Sequence, residues 1–117
     1  MSEQSMQALA LANHVHHSGA RFRRMVAQQP AAEARITLAQ TLERNGFEPG
    51  VGALPLHKFL KAARGIGETK AETICSNAGL WRTNPRIRDL TLRERSALAG
   101  VLRHNAQIVE RNNRAAR

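Results

Sequence analysis

Aromatic side chains are scarce in this 117-residue chain: they make up 3% of it, and tyrosine is absent. That argues against a single-strand nucleic-acid binder, which stacks bases on aromatic platforms. Cysteine is nearly absent too. The single Cys75 cannot close an internal disulfide, which fits a reducing, cytoplasmic setting. No apolar run is long enough to span a bilayer. The N-terminus "MSEQSMQALALANH" lacks the basic start and cleavage site of a signal peptide. Acids are few, with nine Asp and Glu against eighteen Lys and Arg. No carboxylate pair in an evident pocket, no G-x-S-x-G and no nucleotide-binding loop occurs, so the chain reads as non-enzymatic.

What is present is positive charge. The formal net charge is +9 and the isoelectric point is near 11.6, a field that speaks to polyanionic partners rather than to fold. From Arg82 onward there are nine basic residues and three acids (Asp89, Glu94, Glu110), so +6 of the charge falls in the last third. Arginine outnumbers lysine fifteen to three, and its planar fork matches phosphate oxygens and base edges. High-GC coding bias gives the same preference.

Apolar spacing and punctuation predict an all-α chain, with no strand-like alternation. Residues 3–28 place Met6, Leu9, Val15, Phe22, Met25 and Val26 at roughly helical spacing, with Gly19 weakening the case for one unbroken helix. Pro30 opens a second helix carrying Ile36, Leu38, Ala39 and Leu42, and Asn45-Gly46 stops it. Residues 46–54, "GFEPGVGAL", hold three glycines and a proline and read as a linker. After it, Leu56, Phe59, Leu60 and Ala63 repeat at i, i+3, i+4 and i+7. Ala71, Ile74, Cys75 and Ala78 share one side of a short helix from Glu68, which Gly79 stops. Pro85 interrupts residues 80–90. Thr91 and Glu94 form a capping-box pattern that opens a final helix running to about Asn105 or beyond. The expected organisation is an N-terminal helical region with linker over 1–53, then a compact module with a basic C-terminal helix over 54–117.

Two stretches carry candidate chemistry. In "RGIGETKAETI", Gly65 and Gly67 let backbone approach a partner closely. The helix behind them aims unpaired N–H groups and a partial positive charge at the same place, an arrangement that suits a phosphate. A plain connector between packed helices is the alternative. In "NPRIRDLTLRER", Arg86 and Arg88 alternate around Ile87. In an extended loop both would leave one side, toward a groove or adjacent phosphates, and Ile87 is either an unstacking wedge or a core anchor. The cluster His14, His16 and His17 lacks the four ligands and thiolates of a structural zinc site. No metal or other cofactor is expected. Cys75 and the lone Trp81 read as packing residues.

Taken together, residues 54–103 resemble the actinobacterial (mycobacterial-type) integration host factor family. The match rests on "LPLHKFLKAARGIGETKAETICSNAGL" followed by "RIRDLTLRERSALAGVL". The resemblance implies a helix-two-turns-helix module behind an N-terminal helical arm. It also implies a nucleoid-associated architectural protein that binds, bends and condenses duplex DNA with low sequence specificity and assists a recombinase. Under it, the turn and phosphate-facing helix start correspond to Gly65, Gly67, Thr69 and Lys70, and the DNA-contacting loop to Arg86 and Arg88. Pro85 stands where members often carry the first of two arginines, with Arg82 as a substitute. Arg93 and Arg95 are further contacts, and a monomer is expected. The N-terminal half departs from the family's usual Lys/Glu/Ala-rich helix. Three rivals stay open: a ribosomal-protein-like, RNA-binding helix-two-turns-helix protein, a repair-type helix-hairpin-helix accessory domain, and a helical module that binds acidic proteins.

Overall fold

The computed structural model describes residues 3–80 and 84–115; in the first helix, side chains are described at Met6 and from His17 onward. Apart from one isolated antiparallel bridge between Pro55 and Arg86, the secondary structure among these residues is helical: α1 (Glu3–Gln28), α2 (Ala31–Glu43), α3 (Pro49–Gly52), α4 (Leu56–Leu60), α5 (Glu68–Asn77), a 3-10 turn at Ile87–Asp89 and α6 (Leu92–Ala115). None of the helices is long and apolar enough to cross a membrane.

The punctuation acts as its chemistry requires. Pro30 and Pro55 stand at the N-caps of α2 and α4 in extended conformation, where their missing N–H costs nothing. Gly79 leaves α5 at φ +77°, the left-handed stop that glycine takes freely. The capping box is formed in both directions. Thr91 Oγ1 accepts from the Glu94 amide at 3.1 Å, and Glu94 Oε1 accepts from the Thr91 amide at 2.8 Å. The helix so opened continues to Ala115, well past Asn105.

Two expectations change. α1 is unbroken through Gly19, because that glycine is a packing contact. A Cβ there would lie 2.9 Å from the carbonyl oxygen of Gly50, so the absence of a side chain lets α3 lie on α1. Residues 46–54 are accordingly no slack linker. Gly50, Val51 and Gly52 form a buried helical turn, and Leu54 joins the core.

Among the described residues, the most extensive packing joins α2 to α6. Leu38 and Leu42 of α2 and Leu98 and Leu102 of α6 are fully buried in one cluster. The same cluster takes in Val26 of α1, Phe59 and Leu60 of α4, Ile74 of α5, and Ile87. Residues on both sides of position 53 therefore share one core. Phe22 of α1 stacks on Phe59 of α4 with ring centroids 5.5 Å apart, which fixes those two helices side by side.

On α2 the buried face holds Ala34, Arg35, Leu38, Ala39, Thr41 and Leu42. Ile36, expected on the apolar side, is only half-buried, and an arginine stands inside instead. Met6 and Met25, counted with the apolar face of α1, are exposed. Leu9, Val15, His14, His16, Trp81 and Arg82 lie outside the described side chains.

Candidate nucleic-acid interface

The glycine turn between α4 and α5 is a braced structure. Gly65 adopts φ +85°, a conformation that a Cβ penalises. Beneath it lies the side chain of Arg35, only 1% exposed. Arg35 Nη1 donates to the Arg64 carbonyl at 2.8 Å and to the Ala31 carbonyl at 2.9 Å. Its Nη2 lies 3.3 Å from where a Gly65 Cβ would be, and its buried Nε has no partner. Burial pushes the Arg35 guanidinium below its ordinary pKa. Arg64 ties the turn down a second time, through Nε to the Ala27 carbonyl of α1 at 2.9 Å. The turn is thus set from below by the N-terminal helices and open above.

Gly67 differs from Gly65. It is the N-cap of α5 with φ −95° and ψ −167°, ordinary extended backbone, and a Cβ there would meet nothing within 4 Å. No side chain caps α5, so its first amides face outward past a glycine. Gly65, Gly67, Thr69 and Lys70 are all exposed at this helix start. Ile66, between the glycines, is buried and anchors the turn.

One acid stands among these groups. Glu68 occupies the first turn of α5. It pairs with Lys61 Nζ at 2.7 Å and His57 Nδ1 at 2.9 Å. The Lys61 bond first, then the His57 bond, hold its carboxyl below the usual carboxylate range. Its charge is therefore matched locally.

His57 also links the turn to the arginine loop. Its backbone N–H donates to Asn84 Oδ1 at 2.9 Å, and the neighbouring Leu56 N–H donates to the Pro85 carbonyl at 2.7 Å. The loop thereby caps α4, while the His57 ring reaches Glu68. Asn84 reaches this position at φ +50°, which asparagine tolerates better than most residues. Beyond it, the extended alternation expected of Arg86-Ile87-Arg88 is replaced by the 3-10 turn, with Arg86 at its N-cap. Arg86 Nη1 donates to the Ala53 carbonyl at 2.7 Å, and the side chain stays exposed. Arg88 is exposed beside Gly52. Ile87 is fully enclosed in the core, so it anchors the loop and is no wedge.

The remaining candidates separate. Arg93 is exposed on the first turns of α6. Arg95 is turned inward: Nη1 donates to the Arg44 carbonyl at 3.0 Å, the guanidinium lies 5.3 Å from the Phe47 ring centre, and Nε is buried without a partner. It braces the 44–47 segment against α6. Further along α6, Arg103 pairs with Glu43 and Arg114 with Glu110, which reduces the free positive charge of that helix.

Arg35 and His57 were not singled out from sequence. For Arg35 a signal existed, since an arginine four residues before Ala39 lies on an apolar stripe. For His57 there was none. Among the described residues no three His, Cys, Asp or Glu side chains converge to hold a metal ion. Comparison of the chain with known protein families, with curated proteins and with solved structures finds no match.

Proposed function

We propose that this chain binds duplex DNA, without catalysing a reaction, through the start of α5 and the 84–88 loop. The observation that carries this reading is the uncapped N-terminus of α5 behind a rigidly held glycine turn, in a chain of formal net charge +9. Outward amides and the positive end of a helix suit a phosphate oxygen. Lys70, Arg86 and Arg88 supply exposed charge around it. With few aromatics the contacts are to the backbone, so sequence preference is weak. The resemblance of residues 54–103 to the mycobacterial-type integration host factor family supports the same reading and extends it to an architectural, nucleoid-associated role alongside a recombinase. With Ile87 enclosed, bending arises from phosphates drawn around the basic face rather than from an inserted side chain.

The test is a fluorescence-anisotropy titration of short DNA and RNA duplexes over a range of salt. Four to seven phosphate contacts give a log–log slope of about −4 to −6, at about −0.9 per phosphate. Lys70→Glu with Arg88→Glu should flatten that slope and weaken binding at least about tenfold, since two contacts are lost. A shallow slope with affinity kept in high salt would point to a protein partner, and preference for the RNA duplex to the ribosomal-type alternative. End-labelled duplex in an energy-transfer assay tests bending. An unchanged end-to-end distance at saturation rejects it.

A further inference from the structure

A second basic surface, a groove, adjoins the α5 turn. It runs between α1 and α4, encloses about 690 Å³, and has Arg23 and Arg24 on one wall with Lys58 and Lys61 on the other. The Phe22–Phe59 stack holds the two walls together from within. Ala27 and Ala62 also line the groove and keep its bed shallow. Among the described residues no carboxylate pairs with Arg23, Arg24 or Lys58. The Nε of Arg23 is buried without a hydrogen-bond partner. Arg23, Arg24 and Lys58, with Lys61 already held by Glu68, face one groove and repel one another, and an anion seated between them relieves that repulsion.

We infer that this groove is a binding track for a chain of phosphates, and specifically for the phosphodiester backbone of the nucleic acid that also meets the α5 turn. It rests on the proposed function only for the identity of that polyanion. Three features favour a linear phosphate chain over a small nucleotide. Among the described residues, no aromatic side chain lines the groove to stack a base, no carboxylate lines it to bind a ribose, and its walls come from two helices rather than a closed loop. Continuity with the turn favours nucleic acid over free polyphosphate. Lys61 lines the groove and also pairs with Glu68 at the start of α5. Arg64, adjoining the glycine turn, reaches the Ala27 carbonyl beside the groove. One strand would pass from Arg24 and Lys58 by way of Lys61 to the α5 amides, where the charge of Glu68 is already matched.

The test compares the full chain with Arg24→Glu/Lys58→Glu, two exposed positions, and with a control of equal charge change, Arg111→Glu/Arg114→Glu. Duplex DNA is titrated over salt, and inorganic tripolyphosphate is added in a thermal-shift assay. Circular dichroism confirms folding, and Arg24→Gln/Lys58→Gln replaces the reversal if it unfolds the chain. The groove double should reduce the salt slope by about 1.8, at about 0.9 per lost phosphate, and abolish the tripolyphosphate-induced rise in Tm. The control should do neither. If the tripolyphosphate response is lost but the duplex slope is unchanged, the groove takes free polyphosphate, and its assignment to nucleic acid is overturned. If groove double and control behave alike in both assays, the groove binds no phosphate chain. A wild-type chain that ignores duplex but responds to tripolyphosphate through Arg24 and Lys58 would sink the proposed function and leave a phosphate groove standing.

Discussion

Arg35 is the residue on which the glycine turn rests, and replacing it separates two opposite accounts of a buried charge. Its Nη1 holds the Arg64 carbonyl at 2.8 Å and the Ala31 carbonyl at 2.9 Å. Hydrogen bonds from a charged donor contribute about 1.5–3 kcal/mol each. Against them stands the desolvation of a guanidinium whose Nε is unsatisfied, a cost of several kcal/mol for a buried ion. Arg35→Ala loses both bonds and leaves a hole beneath the turn, and should cost about 2–4 kcal/mol. At about 4 °C per kcal/mol for a chain of this size, Tm should fall by roughly 8–16 °C. Arg35→Met fills the stem but orphans the Arg64 carbonyl, which should cost about 1–3 kcal/mol. Urea unfolding followed at 222 nm measures both. The functional consequence is read on the folded Met variant, whose duplex affinity should drop because the turn is no longer held at one height. A Met variant as stable as wild type would refute the bracing role: the buried charge would then be a net cost, as replacing buried ions by apolar side chains sometimes shows.

The two turn glycines should respond differently. Gly65→Ala should destabilise by about 1–2 kcal/mol through its left-handed φ, whereas Gly67→Val should cost no more than about 1 kcal/mol as an N-cap change yet lower duplex affinity. Unchanged affinity there would remove the backbone–phosphate contact. Ile87→Ala should cost about 2–5 kcal/mol as a core truncation, while energy transfer in the saturated duplex complex stays at the wild-type value. Reduced bending at full occupancy would restore the wedge. Burial, with Glu72 nearby, pushes the Cys75 thiol above its ordinary pKa, so a disulfide reagent at pH 8 should label it slowly in the native chain and at once in urea. Rapid native labelling would contradict the packing. Glu68 has a folded pKa below its unfolded one, so its contribution is complete above the unfolded carboxylate range and is lost as pH falls through the folded value. Glu68→Gln should flatten part of the acid limb of a stability–pH profile, and an unaltered limb would show the pair with Lys61 to be idle.

Most helix boundaries were legible because their signals are local. Pro30, Pro55, Gly79 and the Thr91–Glu94 box each act within four residues, and the Leu56–Phe59–Leu60–Ala63 repeat reports one buried face directly. Residues 46–54 misled for the converse reason. Glycine and proline mark a break whether the chain beyond it is loose or, as here, turns once with its backbone pressed on Gly19. Nothing near position 50 in the sequence announces a partner thirty residues away. The α1–α4 groove was invisible for the same reason: Arg23 and Arg24 on one helix and Lys58 and Lys61 on another acquire meaning only once Phe22 meets Phe59. At the glycine turn, sequence identified the outward groups Thr69 and Lys70, but not the arginine beneath them.

The pairing of α2 with α6 also sets an order of events during synthesis. The last residue of α2 is Glu43 and the first of α6 is Leu92. At ribosomal rates of about 5–20 residues per second, α2 waits roughly 2–10 s for its partner to begin to appear. Through that interval Leu38 and Leu42 have no α6 to cover them, and Arg35 receives the Arg64 carbonyl about midway. The nascent chain therefore spends seconds with the apolar face of α2 uncovered before the core can close.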